Sequence, residues 1–179
     1  MAATTFAMDA MVGLTSALVD RKTTDIRLEA AIAKLFCSEA CWKIVDDTVQ
    51  IRGGRGYETA LSLRGRGEAA IPVERIMRDT RINLIIEGTS QIMRLFIARE
   101  ALDAHMRLVG KLLNPDQPMP VKLQAAMAAF ARYAVWYPRQ WLSWLWWPRY
   151  AGWDRRIAGH MRCVERTSHR LARALFHGA

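Results

Sequence analysis

Apolar residues recur every three or four positions along most of the chain, which is the period of an amphipathic α-helix. No segment shows the strict alternation of apolar and polar residues that is typical of a β-strand. The sequence therefore predicts an all-α protein, and long stripes joined by short turns favour an antiparallel helical bundle. The predicted helices cover about 2–19, 26–51, 72–86, 89–113, 121–135 and 154–176.

Glycine and proline mark the breaks between these helices. Three glycines end the second helix and begin a Gly- and Arg-rich loop over 53–71, because glycine adopts left-handed turns without a steric penalty. The tract NPDQPMP, at 114–120, is the clearest linker. We therefore expect a bundle over 1–113, a linker over 114–120 and a helical extension over 121–179.

One charge interrupts each of the two strongest apolar stripes, Glu39 in the second helix and Arg99 in the fourth. Buried charges are costly unless they are paired. One hypothesis is that Glu39 and Arg99 meet across the helix interface. The alternative is that each charge lies at the edge of its stripe and reaches water.

The composition of the 179 residues, of which 51% are hydrophobic, is that of a globular protein. Charged residues and prolines interrupt every apolar run before about 18 residues, so no transmembrane helix is expected. The first residues lack the basic region of a secretory signal, so an intracellular location is expected. The cysteines Cys37, Cys41 and Cys163 fit no metal-ligand spacing. We interpret Cys37 and Cys41, one helical turn apart, as small packing residues.

The net charge of +9 owes much to the last part of the chain, where a two-faced helix follows a tryptophan cluster. Six of the seven tryptophans lie within 136–153. The apolar face of the helix carries Ile157, Met161, Val164, Leu171 and Leu175, and the opposite face carries Arg155, Arg162, Arg166, Arg170 and Arg173. This pattern suits a membrane-surface contact through 136–176. The alternative is a stripe packed on the bundle with solvated arginines. Nucleic acid is not an expected partner, since no binding motif accompanies the charge.

A single carboxylate, Glu87, interrupts the segment RINLIIEGTSQIM. It lies on a short break between two helices, where both sides hold it and a ligand has room to approach. Its apolar neighbours Leu84, Ile85 and Ile86 would desolvate the charged form, which suits a general base. The alternative is an electrostatic cap for the following helix, which begins near Thr89 or Ser90.

Three motifs follow one another in order along the chain. They are QIRGGRGYE (50–58), PVERIMRDTRI (72–82) and IEGTSQIMRLFIARE (86–100). Together they closely resemble the C-terminal helical domain of the acyl-CoA dehydrogenases, over roughly 2–113. The resemblance implies that Glu87 is the catalytic base and that Gly88 lies at the substrate. The implied reaction removes the α-proton of an acyl-CoA, passes a hydride to FAD and forms a trans-2-enoyl-CoA. The implied electron acceptor is an electron-transfer flavoprotein, although oxidase chemistry with O₂ stays open.

The same resemblance implies which residues contact FAD. Those that follow the base open a helix, whose backbone N–H groups suit an anionic pyrophosphate. They are Thr89, Ser90 and Gln91. A second group matches the family's Gln-x-x-Gly-Gly turn, which reaches the FAD of a neighbouring subunit in a homo-oligomer. It consists of Gln50, Gly53 and Gly54, for which simple helix termination is the alternative. Arg78 and Asp79 match the family's Arg-Asp pair, for which we expect a structural salt bridge.

The chain departs from the common family pattern in two ways. The loop 57–71 and the extension beyond Leu113 resemble the very-long-chain branch, which implies a long acyl substrate. The family's N-terminal helical domain and middle β-domain have no counterpart in these residues. We therefore expect a truncated gene, an isolated domain or one piece of a split enzyme, inactive alone. The alternative function is a non-catalytic helical module for oligomerisation or membrane docking.

Overall fold

The computed structural model describes residues 1–22, 25–142, 150 and 152–178. Across these residues the secondary structure is helical, with no β-strand, which confirms the all-α prediction. The helices are α1 (Ala2–Arg21), α2 (Arg27–Arg52), α3 (Gly54–Tyr57), α4 (Ala60–Gly65), α5 (Val73–Ile82), α6 (Ser90–Leu113), α7 (Met119–Trp141) and α8 (Arg155–Gly178). The chain divides into two compact units, Met1–Ala101 and Leu102–Ala179, and the boundary falls within α6.

The segment 53–71, predicted as a loop, contains the short helices α3 and α4. The side chain of Thr59 caps α4 by accepting a hydrogen bond from the Ser62 N–H at 3.2 Å. Gly56 packs so closely on α2 that a Cβ atom there would lie 2.7 Å from the Val49 carbonyl oxygen. The glycine at this position therefore permits close packing rather than only ending a helix.

Two other predicted helix bounds differ from the structure. Helix α5 ends at Ile82, and turns lead from there to Glu87. Pro72 is the residue before α5 rather than its first helical residue. Helix α7 extends to Trp141 and contains Pro138 in its last turn.

In the first unit, α2 is the central helix, with α1, α3 and α5 packed against it. Its interior is built mostly from small and medium-sized side chains. The buried residues are Ala31, Ala33, Ser38, Val45, Leu63, Val73, Thr80 and Ser90. The Arg81 guanidinium lies over the Trp42 ring at 5.1 Å, which adds a cation–π contact between α5 and α2.

The ion pairs of this unit differ from those predicted. Glu39 pairs with Arg94 at 2.5 Å rather than with Arg99, and the pair is partly exposed. The hypothesis of a Glu39–Arg99 bridge is therefore wrong. Arg78 pairs with Glu74, four residues earlier on α5, and not with Asp79.

Much apolar surface of the first unit is uncovered in this chain. Helix α1 contains no buried residue, and Ile92 and Leu95 of the predicted inner stripe of α6 are exposed. By length and composition alone, α1 is apolar enough to cross a membrane, with a mean hydropathy of 1.4, contrary to the sequence expectation. A core helix of a soluble protein meets the same criterion.

In the second unit, α7 and α8 pack together through an aromatic edge. The Phe176 ring lies 5.2 Å from that of Tyr133 and 5.3 Å from that of Tyr137. The Arg173 guanidinium lies 4.0 Å above the Trp141 ring. The prediction of interfacial tryptophans at 144, 146 and 147 falls outside the described residues.

Replacing Leu63 with alanine tests whether the segment 53–71 is part of the core. Leu63 is 0% exposed, whereas Leu61 on the same helix is 76% exposed. We expect Leu63→Ala to lower the free energy of unfolding by about 2–5 kcal/mol, since it removes a fully buried side chain. Urea unfolding followed by circular dichroism measures this change.

Leu61→Ala is the matched control, and we expect it to change the free energy of unfolding by less than about 0.5 kcal/mol. Equal effects of the two substitutions would show that α4 is not packed as described.

Candidate active site

The connection between α5 and α6 makes a sharp turn at the candidate base. Glu87 has a φ of 54° and Gly88 a φ of 95°, so two consecutive residues lie in the left-handed region. This conformation costs a non-glycine residue about 1–2 kcal/mol. Strain of this kind persists only where the surrounding structure enforces it, and it is concentrated at functional sites.

Lys34 holds the turn from outside it. Its Nζ atom, on α2, donates a hydrogen bond to the Gly88 carbonyl oxygen. Lys34 is not predictable from the sequence, because one lysine on a helix gives no signal that distinguishes an anchor from a solvated side chain. The contact joins positions 54 residues apart, so only the tertiary structure reveals it.

Two local hydrogen bonds complete the support of the turn. The Thr89 Oγ1 atom accepts from the Ile92 N–H at 3.3 Å, which makes Thr89 the cap of α6, one of the two predicted candidates. The Ser90 N–H donates to the Leu84 carbonyl oxygen at 3.3 Å. The turn is thus tied to α2, to the segment that follows α5 and to the start of α6.

A cavity of about 350 Å³ adjoins the turn, a volume within the range of small-molecule pockets. Glu87 lies on its wall opposite the side chains of α2. The lining residues are Met8, Lys34, Cys37, Ser38, Cys41, Asn83, Ile86 and Glu87. The candidate base therefore faces a concave surface rather than a flat one.

The expected desolvation of Glu87 by its apolar neighbours is not found. Glu87 is exposed, and Ile85 and Ile86 are 51% and 47% exposed. Ile86 lines the cavity beside Glu87, but side chains as exposed as these two do not enclose the carboxylate. A dry site around Glu87 requires a surface that these residues do not provide.

The residues predicted to contact FAD near the base open α6 as expected, but they are not equally accessible. Gln91 is exposed, whereas Ser90 is buried and its Oγ atom has no hydrogen-bond partner among the described residues. Thr89 uses its hydroxyl for the cap. The Ser90 and Ile92 N–H groups at the start of this 24-residue helix already bond to Leu84 and Thr89, so the exposed Gln91 is the most accessible of the three residues.

The second predicted flavin contact, the Gln50 turn, is exposed at Gln50, Gly53 and Gly54. Gly53 adopts φ 59° and ψ −140°, a conformation that is essentially restricted to glycine. A Cβ atom at Gly53 or Gly54 would meet nothing within 4 Å, so the backbone faces open space. Such a turn fits the close approach of a ligand.

Arginines flank this turn. Arg55 pairs with Glu68, whose hydrogen bond to the guanidinium lowers the pKa of that carboxyl. Arg66 pairs with Glu58 at 2.8 Å. With Arg52 in addition, the surface beside the turn carries an excess of positive charge, which suits an anionic ligand.

The two predicted flavin-binding groups are not brought together within this chain. Lys34, which touches Gly88, and Gln50 are 16 residues apart on α2, or roughly 24 Å along a helix that rises 1.5 Å per residue. Glu87 and the Gln50 turn therefore serve separate locations on the unit.

The first unit is all-α, with a strained carboxylate turn beside a cavity and a glycine turn at the far end of its central helix. Residues 1–102 match the family model described as "Acyl-CoA dehydrogenase, C-terminal domain". The chain belongs to this family.

The relatives support this assignment over the whole chain. The "Probable acyl-CoA dehydrogenase FadE10" of Mycobacterium tuberculosis is 49% identical over 178 residues, which is 99% of this chain. The "Very long-chain specific acyl-CoA dehydrogenase, mitochondrial" of Bos taurus is 43% identical over 119 residues, or 64% of this chain. The human protein of the same name is 42% identical over 114 residues, or 62% of this chain. No solved structure matches the chain.

The chain spans only part of each relative. It covers 27% of FadE10 and 17% of the bovine protein. Activities of these whole proteins therefore do not transfer directly to this chain.

The strained conformation of Glu87 predicts an unusual gain in stability. We expect Glu87→Gly to raise the free energy of unfolding by up to about 1 kcal/mol, since glycine tolerates a positive φ. Chemical denaturation followed by circular dichroism measures the change.

Asn83→Gly is the matched control in the same connection, because Asn83 has an ordinary φ of −63°. We expect that substitution to destabilise by about 0.5–1 kcal/mol. Destabilisation by both glycines would contradict the strained turn.

Proposed function

We propose that this chain supplies the catalytic base of an acyl-CoA dehydrogenase and that Glu87 is that base in a complete enzyme. The observation that carries the proposal is the strained turn at Glu87 and Gly88, held by Lys34 at the edge of a cavity. A capping acid has no need of a left-handed backbone. A catalytic carboxylate gains a fixed position from it.

In the proposed reaction the Glu87 carboxylate removes a proton from the carbon next to the thioester of an acyl-CoA. FAD, when bound, accepts the β-hydrogen as hydride. The product is a trans-2-enoyl-CoA, as in fatty-acid β-oxidation, and an electron-transfer flavoprotein is the proposed final acceptor. The names of the bovine and human relatives favour a long acyl chain.

FAD binding is proposed at two places on the chain. Near the base, the proposed contacts come from Thr89, Ser90 and Gln91 at the start of α6, where the Gln91 side chain is exposed. At the far end of α2, Gln50, Gly53 and Gly54 approach the FAD of a neighbouring subunit. Lys34, which touches Gly88, and Gln50 are roughly 24 Å apart along α2, and this separation fits two different flavin molecules in a homo-oligomer.

The exposure of Glu87 assigns a role to the rest of the enzyme. A carboxylate surrounded by water is a weak base, and closing the site excludes that water. The uncovered apolar residues Ile85, Ile86, Ile92 and Leu95 are the surface on which a covering domain or subunit would pack. On its own, this chain is therefore proposed to be inactive.

A second role, docking to a membrane surface, is favoured by α8. Val164 and Leu171 of its apolar stripe are 62% and 58% exposed, because the helix meets α7 through Phe176 instead. An uncovered apolar stripe opposite a row of arginines is the pattern of a helix lying on an anionic lipid surface.

Replacing Glu87 with glutamine tests the base assignment. The purified chain is combined with the portion of FadE10 that lies outside the matched region, and with FAD and a long-chain acyl-CoA. We expect flavin absorbance and enoyl-CoA formation with the native chain. With Glu87→Gln, turnover falls by about 10²–10⁴-fold while flavin remains bound, since only the proton acceptor is lost.

Glu29→Gln, an exposed acid on α2, is the matched control and should leave turnover unchanged. Near-normal turnover of Glu87→Gln would exclude the base assignment. A mixture that remains colourless and inactive would favour the non-catalytic helical module.

Replacing Leu171 with glutamate tests the membrane contact. In a vesicle-sedimentation assay with anionic phospholipid at low salt, we expect the native chain to bind. Leu171→Glu should weaken binding by about tenfold to a hundredfold, since it removes one inserted apolar side chain.

Thr167→Glu adds the same charge to an exposed polar position of α8, so it separates charge from insertion. We expect its effect to be smaller than that of Leu171→Glu. Failure of the native chain to bind these vesicles would exclude the contact.

A further inference from the structure

We propose that Cys41 is a covalent modification site for α,β-unsaturated acyl thioesters that enter the Glu87 cavity. The inference rests on the proposed function, because such a thioester is the product that Glu87 would generate. The sequence pattern predicts that Cys37 and Cys41 are small packing residues. In the structure both residues also line the cavity, one helical turn apart on α2.

The position of the thiols is the first reason. They are half-buried and line the same cavity as Glu87, whose volume of about 350 Å³ admits part of an acyl chain. A thiol is a soft nucleophile, and the β-carbon of an enoyl thioester is a soft electrophile. Holding both in one cavity replaces an encounter in solution with a local reaction.

The two thiols are not equivalent. The Cys37 Sγ atom contacts the Met8 carbonyl oxygen at 3.9 Å. Burial, and then the neighbouring Cys41, raise the pKa of Cys37, which lowers its thiolate fraction. The contact with Met8 and the raised pKa both disfavour Cys37 as the nucleophile, so we assign the addition to Cys41.

The proposed step is an addition without oxidation or reduction. The Cys41 Sγ atom bonds to the β-carbon, and the π bond between the α- and β-carbons breaks. The proton lost by the thiol passes to the Glu87 carboxylate and then to the α-carbon. Lys34 lies on the same wall and has two N–H donors besides the one bonded to Gly88, so it can stabilise the enolate oxygen that forms during the addition.

The consequence of the addition is inhibition by the product. A thioether at Cys41 fills the cavity beside Glu87 and prevents another acyl chain from entering. Because the addition is reversible, excess free thiol restores the open cavity. The site thus responds to accumulation of the unsaturated product, while a saturated acyl thioester does not react.

The experiment uses the full chain and trans-2-octenoyl-CoA at about pH 8, where a growing fraction of ordinary thiols is ionised. Intact-mass analysis and peptide mapping follow the adduct. We expect one adduct per chain, at Cys41, carrying the mass of the whole enoyl-CoA. Saturated octanoyl-CoA should give none.

Cys163 is an internal control, since it is an exposed thiol on α8 outside the cavity. Reaction without recognition would modify Cys163 first. We expect Cys41 to react at least about tenfold faster than Cys163, because only Cys41 benefits from proximity. Cys41→Ala should abolish the fast adduct, and Cys37→Ala and Cys163→Ala should retain it.

Glu87→Gln should slow the addition by about tenfold, since it removes the proton carrier. An unchanged rate would overturn that assignment. Preferential reaction at Cys163 would overturn the site, as would the absence of an adduct when iodoacetamide readily labels Cys41. A mass gain of the acyl group alone would show thioester exchange and would also overturn the proposal.

No flavin takes part in this experiment. It can therefore fail while Glu87 remains the base in the reconstituted enzyme. Conversely, an adduct can form in a chain whose Glu87 proves dispensable for dehydrogenation. The two hypotheses fail separately.

Discussion

The left-handed turn at Glu87 and Gly88 is the constraint on which the candidate site depends. A φ of 54° costs an L-residue about 1–2 kcal/mol relative to the right-handed conformation, so contacts elsewhere must hold Glu87 there. The Lys34 ammonium group supplies one such contact from α2, and the start of α6 supplies another through the Ser90 N–H. The direction of the carboxylate is therefore a property of the packed unit and not of the segment that contains it.

The same turn fixes the position of Glu87 without burying it. Glu87 lies at a cavity wall beside Ile86, and both Ile85 and Ile86 are about half exposed, so the carboxylate stays accessible to water. The position of the carboxylate and the exclusion of water from it thus have different sources. The chain fixes the position, and the apolar surface around the turn is available to a covering domain or subunit that would exclude the water. A general base whose desolvation depends on assembly is active only where its covering surface is present, which limits stray proton transfer by the separate parts.

Features that depend on short stretches of sequence were predicted well. The helical period, the Thr89 cap and the break at Gly53 follow from local chemistry, and the structure has them at or near the expected positions. Lys34 and Leu63 were missed because their roles depend on contacts with distant segments, and Leu63 lies among Gly and Arg residues that indicate a loop. The partner of Glu39 was wrongly predicted for a related reason. The rotation of α6 about its axis decides whether Arg94 or Arg99 faces α2. An apolar stripe does not fix that rotation closely enough to choose between the two arginines.

The packing of α8 follows from the difference between its two faces. A helix with an apolar stripe opposite a row of arginines normally buries the stripe and solvates the charges. Here α8 contacts α7 through residues between the apolar stripe and the centre of the arginine row. Phe176 contacts Tyr137 there, and the Arg173 guanidinium lies over the Trp141 ring. Val164 and Leu171 consequently stay mostly exposed, so they gain only part of the burial free energy that complete burial would give, about 1.5–3 kcal/mol per side chain. A surface that receives both faces at once must be apolar inside and anionic at its boundary, and a lipid bilayer with acidic headgroups has that composition.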